Sequence, residues 1–304
     1  MSGAGTGPTA GPLEVFVPFW GDPDLLYATI DSVKAQTDTD WTMVVVDDCY
    51  PDPTVAEHFA TEDDPRIRYV RNEVNVGITD NYQRCREMAS GELMMFLGCD
   101  DLMHPTFVET VKAAHREFPT AATIQVGVQV VDEHGTPIDP LTDKVKRAIR
   151  PSVDRRTELS GERLAASLLR GAWHYWPALV FRTEALDHYA FRDGLPIIQD
   201  LALLIDMTAA GESLVLDPTV CFSYRRHTRS ASATSLLHGS RFSDERRYYA
   251  SAAEQMTQRG WSRAARTARL RWTSRLHAVT LLPTALKQRQ RTAVRSLLAH
   301  ATER

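Results

Sequence analysis

Cysteine is scarce in this chain. The four thiols, Cys49, Cys85, Cys99 and Cys221, are scattered through 304 residues, and no two have the spacing of a metal knuckle or a redox pair. A disulfide framework is thereby excluded, and reduced thiols in a cytoplasmic protein are expected. No stretch approaches the roughly eighteen consecutive apolar residues that a membrane-spanning helix needs. Residues 1–12 carry neither a basic patch nor an apolar run, so they read as a disordered tail rather than a signal peptide. Glycine and proline, sixteen of each, stand at ordinary frequencies, which excludes collagen-like and low-complexity sequence. No repeat of solenoid period is present.

What is present is 43% hydrophobic and 24% charged residues, ample for one large α/β core. The net charge of −4 hides an asymmetry: after position 240 there are fourteen Lys/Arg against four Asp/Glu, and the remainder is strongly acidic. The boundary divides a main body, 13–240, from a basic region, 241–304. That region is expected to be a packed or dimerising helical appendage, with an anionic membrane or acceptor surface as the next reading. No nucleic-acid partner is expected.

Short apolar runs alternate with helical patterns through the first half. Glu14–Pro18 reads as a strand, and Leu25, Leu26, Ile30 and Val33 recur at helical spacing behind a cap at Asp22 or Asp24. Thr42–Val46 is an unbroken apolar run of the kind buried on both faces of a parallel sheet. A helix over Thr54–Phe59, a strand over Ile67–Val70, a helix over Thr79–Met88 and a strand over Leu93–Leu97 follow. Pro105–Phe118 then predicts a helix and Thr123–Val131 a strand. Repeated strand–helix units imply an α/β fold with a mostly parallel sheet and helices on both faces. Ligands in such folds sit beyond the carboxyl ends of the strands.

Two halves are expected, over about 13–132 and about 133–240. Gly135–Leu159 is polar and lacks apolar periodicity, so it reads as a long loop. Beyond it come helices over Glu162–Leu169 and Ile198–Ala210, and strands over Ala178–Arg182, Ser213–Leu216 and Val220–Tyr224. The sequence after Ser240 is helical throughout.

The strand ends concentrate chemistry: Pro18–Phe19–Trp20 after the first strand, Asp47–Asp48 after the second, Gly98–Cys99–Asp100–Asp101 after the fourth. Adjacent carboxylates repel by roughly 1 kcal/mol or more when partly solvated. One such pair is as readily a helix cap. Two pairs at neighbouring strand ends favour a site facing a cation or hydrogen-bond donors.

Several segments in order resemble family 2 glycosyltransferases over about residues 13–235. They are the run from Val15 through Pro18, Ser32–Val33, Gln36–Thr37 and Trp41 to Asp47–Asp48; then Asn75–Val76–Gly77 with Asn81 and Ala89–Ser90–Gly91–Glu92; then FLGCDDLMHP at Phe96–Pro105. The resemblance implies a GT-A type fold and inverting transfer from a nucleotide-sugar, with a UDP-sugar the first choice of donor. Pro18, Trp20, Asp47, Asp48, Asn81 and Asp100 are implied as nucleotide-binding residues, with Trp20 stacking on the base and Asp48 accepting a hydrogen bond from it.

Mn²⁺ or Mg²⁺ is implied on Asp100, Asp101 and His227, since hard oxygen ligands and a diphosphate suit those ions. Ile198–Gln199–Asp200–Leu201 resembles the family's Glu-Asp segment, whose aspartate is the general base, so Asp200 is implied as catalytic. Tyr224–Arg225–Arg226–His227 resembles its tail motif, implying Arg225 and Arg226 at the diphosphate. Trp173, His174 and Trp176 are implied on the acceptor side.

Two positions depart from the family's pattern: Gly98 stands where the first acid of its DXD segment is usual, and Gln199 where Glu is usual. The first leaves weakened metal binding or altered donor choice open. It also keeps a catalytically degenerate sugar-nucleotide binding module in play. A nucleotidyltransferase ranks lower, because such enzymes carry a Gly-rich basic loop after strand one and this chain has Phe19–Trp20–Gly21–Asp22. The acceptor, whether small molecule, glycan or lipid-linked sugar, is not specified. The expected location is cytoplasmic, with contact at the inner membrane face or a homodimer possible through 241–304.

Overall fold

A computed structural model describes residues 11–192, 194–195, 198–226 and 239–302. His227 and all but the last two residues of the expected tail therefore lie outside the described residues. The chain runs β1 (Leu13–Phe19), α1 (Pro23–Lys34), β2 (Trp41–Asp47), α2 (Thr54–Ala60), β3 (Ile67–Arg71), α3 (Ile78–Met88), β4 (Leu93–Phe96), β5 (Leu102–Met103), α4 (Phe107–Glu117) and β6 (Thr123–Val131). It continues through α5 (Leu141–Ile149), β7 (Thr157–Leu159), α6 (Gly161–Gly171), a 3₁₀ turn (Trp176–Ala178), β8 (Leu179–Arg182), α7 (Thr183–Leu186), α8 (Gln199–Ala210) and β9 (Leu214–Arg225). Four helices close the described chain: α9 (Gly239–Gln258), α10 (Ser262–Leu270), α11 (Trp272–Lys287) and α12 (Arg291–Thr302).

Strands pair in the order β3-β2-β1-β4-β8-β6-β9-β5, with β7 added on β9. The first four are mutually parallel, as the unbroken apolar runs predict. Beyond β4 the sheet is mixed: β8 runs antiparallel to both β4 and β6, while β6 and β9 are parallel.

Alternation along β1 shows how both faces are covered. Val15, Val17 and Phe19 pack with Leu26, Ile30 and Val33 of α1 and Val108 and Val111 of α4, whereas Phe16 packs on the opposite face with residues of α6 and α8. At the start of α1 the Asp22 carboxylate accepts from the Asp24 amide at 3.1 Å, and Pro23 supplies the first helical residue.

The two strands expected over Ser213–Tyr224 form one strand, β9, bent at Asp217–Pro218–Thr219. There its register against β6 shifts beside Gly127. A Cβ at Gly127 would lie 2.8 Å from the Thr219 carbonyl oxygen, so only glycine lets the two backbones approach.

The long loop expected over Gly135–Leu159 contains helix α5 and strand β7. Leu141, Val145 and Ile149 do recur at four-residue helical spacing, contrary to the loop reading, but the helix is inverted: Asp143 is buried, while Leu141 is 66% and Val145 37% exposed.

The C-terminal region divides in two. Tyr248, Tyr249, Ala252 and Met256 of α9 and Ala264, Ala265 and Ala268 of α10 join the core cluster that holds α6 and α8. Ala278 and Ala285 of α11 and Ala293 and Leu297 of α12 form a separate small core around Phe242. There His300 is buried between Ser274 Oγ and the Phe242 carbonyl, and burial, reinforced by Arg271, holds its pKa down to about 4. No helix among the described residues is long and apolar enough to cross a membrane.

Replacing Gly127 by Ala forces two backbones apart and should lower stability by about 1–3 kcal/mol, the usual range for overpacking. Chemical denaturation checks this; an unchanged midpoint would show that β9 shifts freely at its bend.

Candidate functional site

The carboxyl end of β2 is organised by hydrogen bonds within the chain. Asp47 accepts from the Tyr50 amide at 2.7 Å and from the Tyr69 hydroxyl, with Arg71 Nε at 3.6 Å. Asp48 accepts from Asn72 Nδ2 at 2.9 Å and from the Val76 and Gly77 amides at 2.8 and 2.9 Å. Asn81, on α3, accepts from the same Asn72 amide at 3.0 Å and donates to the Val46 carbonyl at 3.0 Å. Both aspartates are buried, so their charges are balanced by these donors rather than by water. Asp48 thus fixes the 75–77 loop, and, contrary to the expectation of direct nucleotide contact, Asp47, Asp48 and Asn81 are all buried with their oxygens taken by the chain's own donors. A cavity of about 380 Å³ opens beside this network, lined in part by Arg71, Asn72, Val74 and Arg84.

Pro18 lies in β1, opposite Val46, past the last register pair with β4. Trp20 follows it with its ring 52% exposed and edge-on to Tyr50 at 5.6 Å, a flat apolar surface presented to solvent.

The loop after β4 carries two carboxylates folded over Gly98. A Cβ there would lie 2.5 Å from Asp101 Oδ2 and 3.0 Å from Asp100 Oδ1. A side chain at position 98 would therefore have to displace the ends of both carboxylates. Asp101 Oδ1 accepts from the Arg225 amide at 2.8 Å, while its buried Oδ2 has no hydrogen-bond partner. Burial and the neighbouring Asp100 charge raise the Asp101 pKa well above the carboxylate range, against the lowering effects of the Arg225 amide and the Arg225 and Arg226 charges.

An orphaned carboxylate oxygen facing a second carboxylate fits Mg²⁺ or Mn²⁺, which commonly take one or two carboxylates and complete their shell with substrate phosphates and water. Among the described residues no group of three His, Cys, Asp or Glu is placed to hold a metal alone. Cys99 does not compete as a ligand, because burial first, and then Asp100, push its thiol pKa far up.

On the other side of the site, Asp200 opens α8 with its side chain 30% exposed. Its Oδ2 lies 3.0 Å from His174 Nε2 and its Oδ1 accepts from the Leu201 amide at 2.7 Å. Burial pushes the Asp200 pKa up, but the His174 charge and hydrogen bond, the Leu201 amide and the Lys146 charge together hold it below the ordinary carboxylate value. Thr79 donates to Gln199 Oε1 at 3.1 Å, tying the start of α3 to the start of α8.

From α5, Lys146 Nζ donates to the His174 carbonyl at 2.9 Å and sits 4.5 Å from the Tyr175 ring centre. Burial, then the Arg226 charge, bring the Lys146 pKa down to about 8 against the pull of Asp200 and Asp143. Asp143 is held by Tyr175 Oη at 2.8 Å and by a two-point contact from Arg226 at 2.6 and 2.9 Å.

This geometry stands beside three known proteins. Residues 14–174, more than half of the chain, match the family described as glycosyl transferase family 2. The chain belongs to that family. Over 134 residues it is 34% identical to the uncharacterized protein y4gI of Sinorhizobium fredii, covering 42% of this chain and 15% of that protein. Over 111 residues it is 28% identical to the putative colanic acid biosynthesis glycosyl transferase WcaA of Escherichia coli, covering 36% of this chain and 40% of that one. This family 2 member thus aligns with less than half the length of either relative. The crystal structure of S. aureus TarS 1–349 in complex with UDP-GlcNAc superposes with a TM-score of 0.67 at 14% identity, covering 96% of this chain and 82% of TarS 1–349. That likeness establishes the shared GT-A fold.

Three residues implied by the family resemblance sit elsewhere than expected. Trp173 is fully buried and donates from Nε1 to Ser167 Oγ at 2.9 Å, so it is core and cannot touch an acceptor. Trp176 lies in an aromatic cluster, stacked on Phe96 with ring centres 5.4 Å apart. Arg225 is also buried. It donates to the Asp100 carbonyl from Nε and to the Glu133 carbonyl from Nη1, both at 2.7 Å, and so braces the loop instead of offering its charge to a diphosphate. Arg226 faces the site but is paired with Asp143. His174, expected at an acceptor, contacts Asp200 itself. Sequence reasoning did not find Asp143 or Lys146, whose only signal was an Asp and a Lys three residues apart within a short amphipathic stretch; Tyr175 stood in the aromatic-rich 171–177 stretch but was given no role of its own.

Trp20→Ala should leave stability within about 0.5 kcal/mol, as for exposed positions. It should weaken UDP binding by about 1–3 kcal/mol, the range for losing an aromatic stack on a base. Trp173→Ala should instead cost about 3–5 kcal/mol of stability. Titration calorimetry and thermal melts separate the two; equal melting temperatures would contradict the placement of Trp173.

Proposed function

We propose that this family 2 member transfers a sugar from a nucleoside diphosphate sugar, with a UDP-sugar first among donors, to a hydroxyl acceptor in one inverting displacement. The observation that carries this reading is Asp200: an ionised, partly exposed carboxylate with one oxygen on His174, set at the helix start that borders the other catalytic elements. A base must be deprotonated and open to an acceptor hydroxyl, and the lowered pKa and partial exposure of Asp200 support that role.

Asp200 would take the acceptor proton as the hydroxyl attacks the anomeric carbon. His174 would keep the carboxylate oriented and stabilise its charge. Trp20 and Tyr50 would bound the base, and the Asp48-anchored loop at 75–77 would shape the nucleotide cavity. Asp100 and Asp101 would hold Mn²⁺ or Mg²⁺, which when bound supplies Lewis-acid stabilisation of the leaving diphosphate. The likeness to TarS bound to UDP-GlcNAc and the name of the E. coli relative support a nucleotide-sugar donor and a glycan acceptor, respectively, as the first to test.

Asp200→Asn keeps the size and most hydrogen bonds but removes the base, so transfer should fall about 10²–10⁴-fold while UDP affinity holds. Near-normal transfer would remove Asp200 from the chemistry. Nucleotide release across UDP-, GDP- and dTDP-sugars identifies the donor, and binding without release in every case would leave a binding module. Chelation with EDTA should abolish release and Mn²⁺ restore it; full activity in chelator would exclude the metal.

His174→Ala has a pH signature. With Asp200 held below the ordinary carboxylate pKa, the base stays ionised as pH falls toward that range. Loss of His174 leaves burial unopposed by its largest counterweight, so the Asp200 pKa rises. The acid limb of kcat/KM should then move to higher pH, and an unmoved limb would show that another group sets it.

A further inference from the structure

The face of α11 opposite its core carries an apolar stripe without cover. Trp272, Leu276 and Leu286 are 64, 63 and 61% exposed, with Val279 and Pro283 exposed between them. Positions 272, 276, 279, 283 and 286 recur at intervals of four and three, which aligns them along one side of a helix. The opposite side already packs Ala278 and Ala285 into the small core, so the stripe is a second apolar face of the same helix. At its end a groove of about 230 Å³ lies between α11 and α12. Its floor is Ala285, Leu286 and Val294, and Arg289, Arg291 and Arg295 line it too.

Charge selects the occupant. Residues 255–302 contain ten Lys/Arg and no Asp or Glu. A second copy applied through the same face would bring two such regions together, and like charges oppose that. A neutral protein surface would leave the groove arginines without counter-charges. An anionic bilayer satisfies both halves of the surface: apolar side chains enter the acyl boundary while arginines meet headgroup phosphates.

We propose that α11 and α12 dock this protein on an anionic membrane, with the Trp272–Leu286 stripe inserted at the interface and Arg289, Arg291 and Arg295 on lipid phosphates. The start of α11 lies close to the end of α5, the helix that carries Lys146. Beside Gly171, the point where a Cβ would stand is 2.5 Å from Ile149 Cδ1, at the end of α5, and 2.8 Å from Thr273 Oγ1, at the start of α11.

Flotation of the full chain with phosphatidylcholine vesicles, with and without about a quarter phosphatidylglycerol, tests this. Binding should appear with the anionic vesicles alone and fade in about 0.5 M salt, where screening is strong. Arg289→Gln, Arg291→Gln and Arg295→Gln combined should weaken it about a hundredfold, since three basic contacts at a charged membrane are removed. Trp272→Ser with Leu276→Ser should weaken it at unchanged circular dichroism and melting temperature. Flotation with neither vesicle, equal flotation with both, or flotation indifferent to both variant sets would overturn the proposal. Light scattering that shows a dimer dissociated by Leu276→Ser would assign the stripe to a second copy and overturn it as well.

Discussion

Two consecutive arginines at the end of β9 hold the site together. Strand alternation sends their side chains to opposite sides. Arg225 turns inward and ties the Asp100 and Glu133 carbonyls, while its amide holds Asp101. Arg226 turns toward α5 and grips Asp143, which also accepts from the Tyr175 and Thr142 hydroxyls. One strand end therefore fixes both the acidic loop after β4 and the helix that supplies Lys146 to the neighbourhood of Asp200. A buried carboxylate held this way is costly to leave incomplete, and the unpartnered Asp101 oxygen is the part left open. Gly98 belongs to the same constraint, because the two following carboxylates fill the space a side chain there would need.

The end of β2 and the start of α8 use acids in opposite ways. Asp47 and Asp48 are buried and matched by donors from β3 and the following loop, so they stiffen the end of β2. Asp200 keeps a face open to solvent and one oxygen on a histidine. The first arrangement gives rigidity and the second keeps a lone pair accessible. Gln199 adds a neutral bridge to Thr79, which links the helix after the nucleotide loop to the helix that starts with Asp200. A glutamate there would place a second negative charge beside Asp200.

How much of this was legible in the sequence follows from which signals are local. The parallel strands were, because residues buried on both faces give unbroken apolar runs, and the acid pairs were, because they sit at strand ends. Helix α5 was legible in the four-residue spacing of Leu141, Val145 and Ile149, but its orientation was not: Asp143 is buried while Leu141 and Val145 face solvent, which reverses the usual pattern. Trp173 was misplaced because an aromatic-rich stretch looks the same whether it lines a sugar or fills a core. Only the buried contact with Ser167 distinguishes them. Arg225 and Arg226 were indistinguishable as neighbours until the register of β9 assigned each a side. The donors that neutralise Asp47 and Asp48, Tyr69 and Asn72, lie more than twenty residues away, and no local pattern announces the pairing.

The central claim is that Asp200 serves a single displacement at the anomeric carbon, with no second carboxylate forming a glycosyl intermediate. Proton NMR of the first product formed from an α-configured UDP-sugar tests it directly, through the anomeric coupling constant. A β-linked product is predicted. An α-linked product would show net retention, contradict the one-step mechanism, and require a nucleophile that the account does not contain.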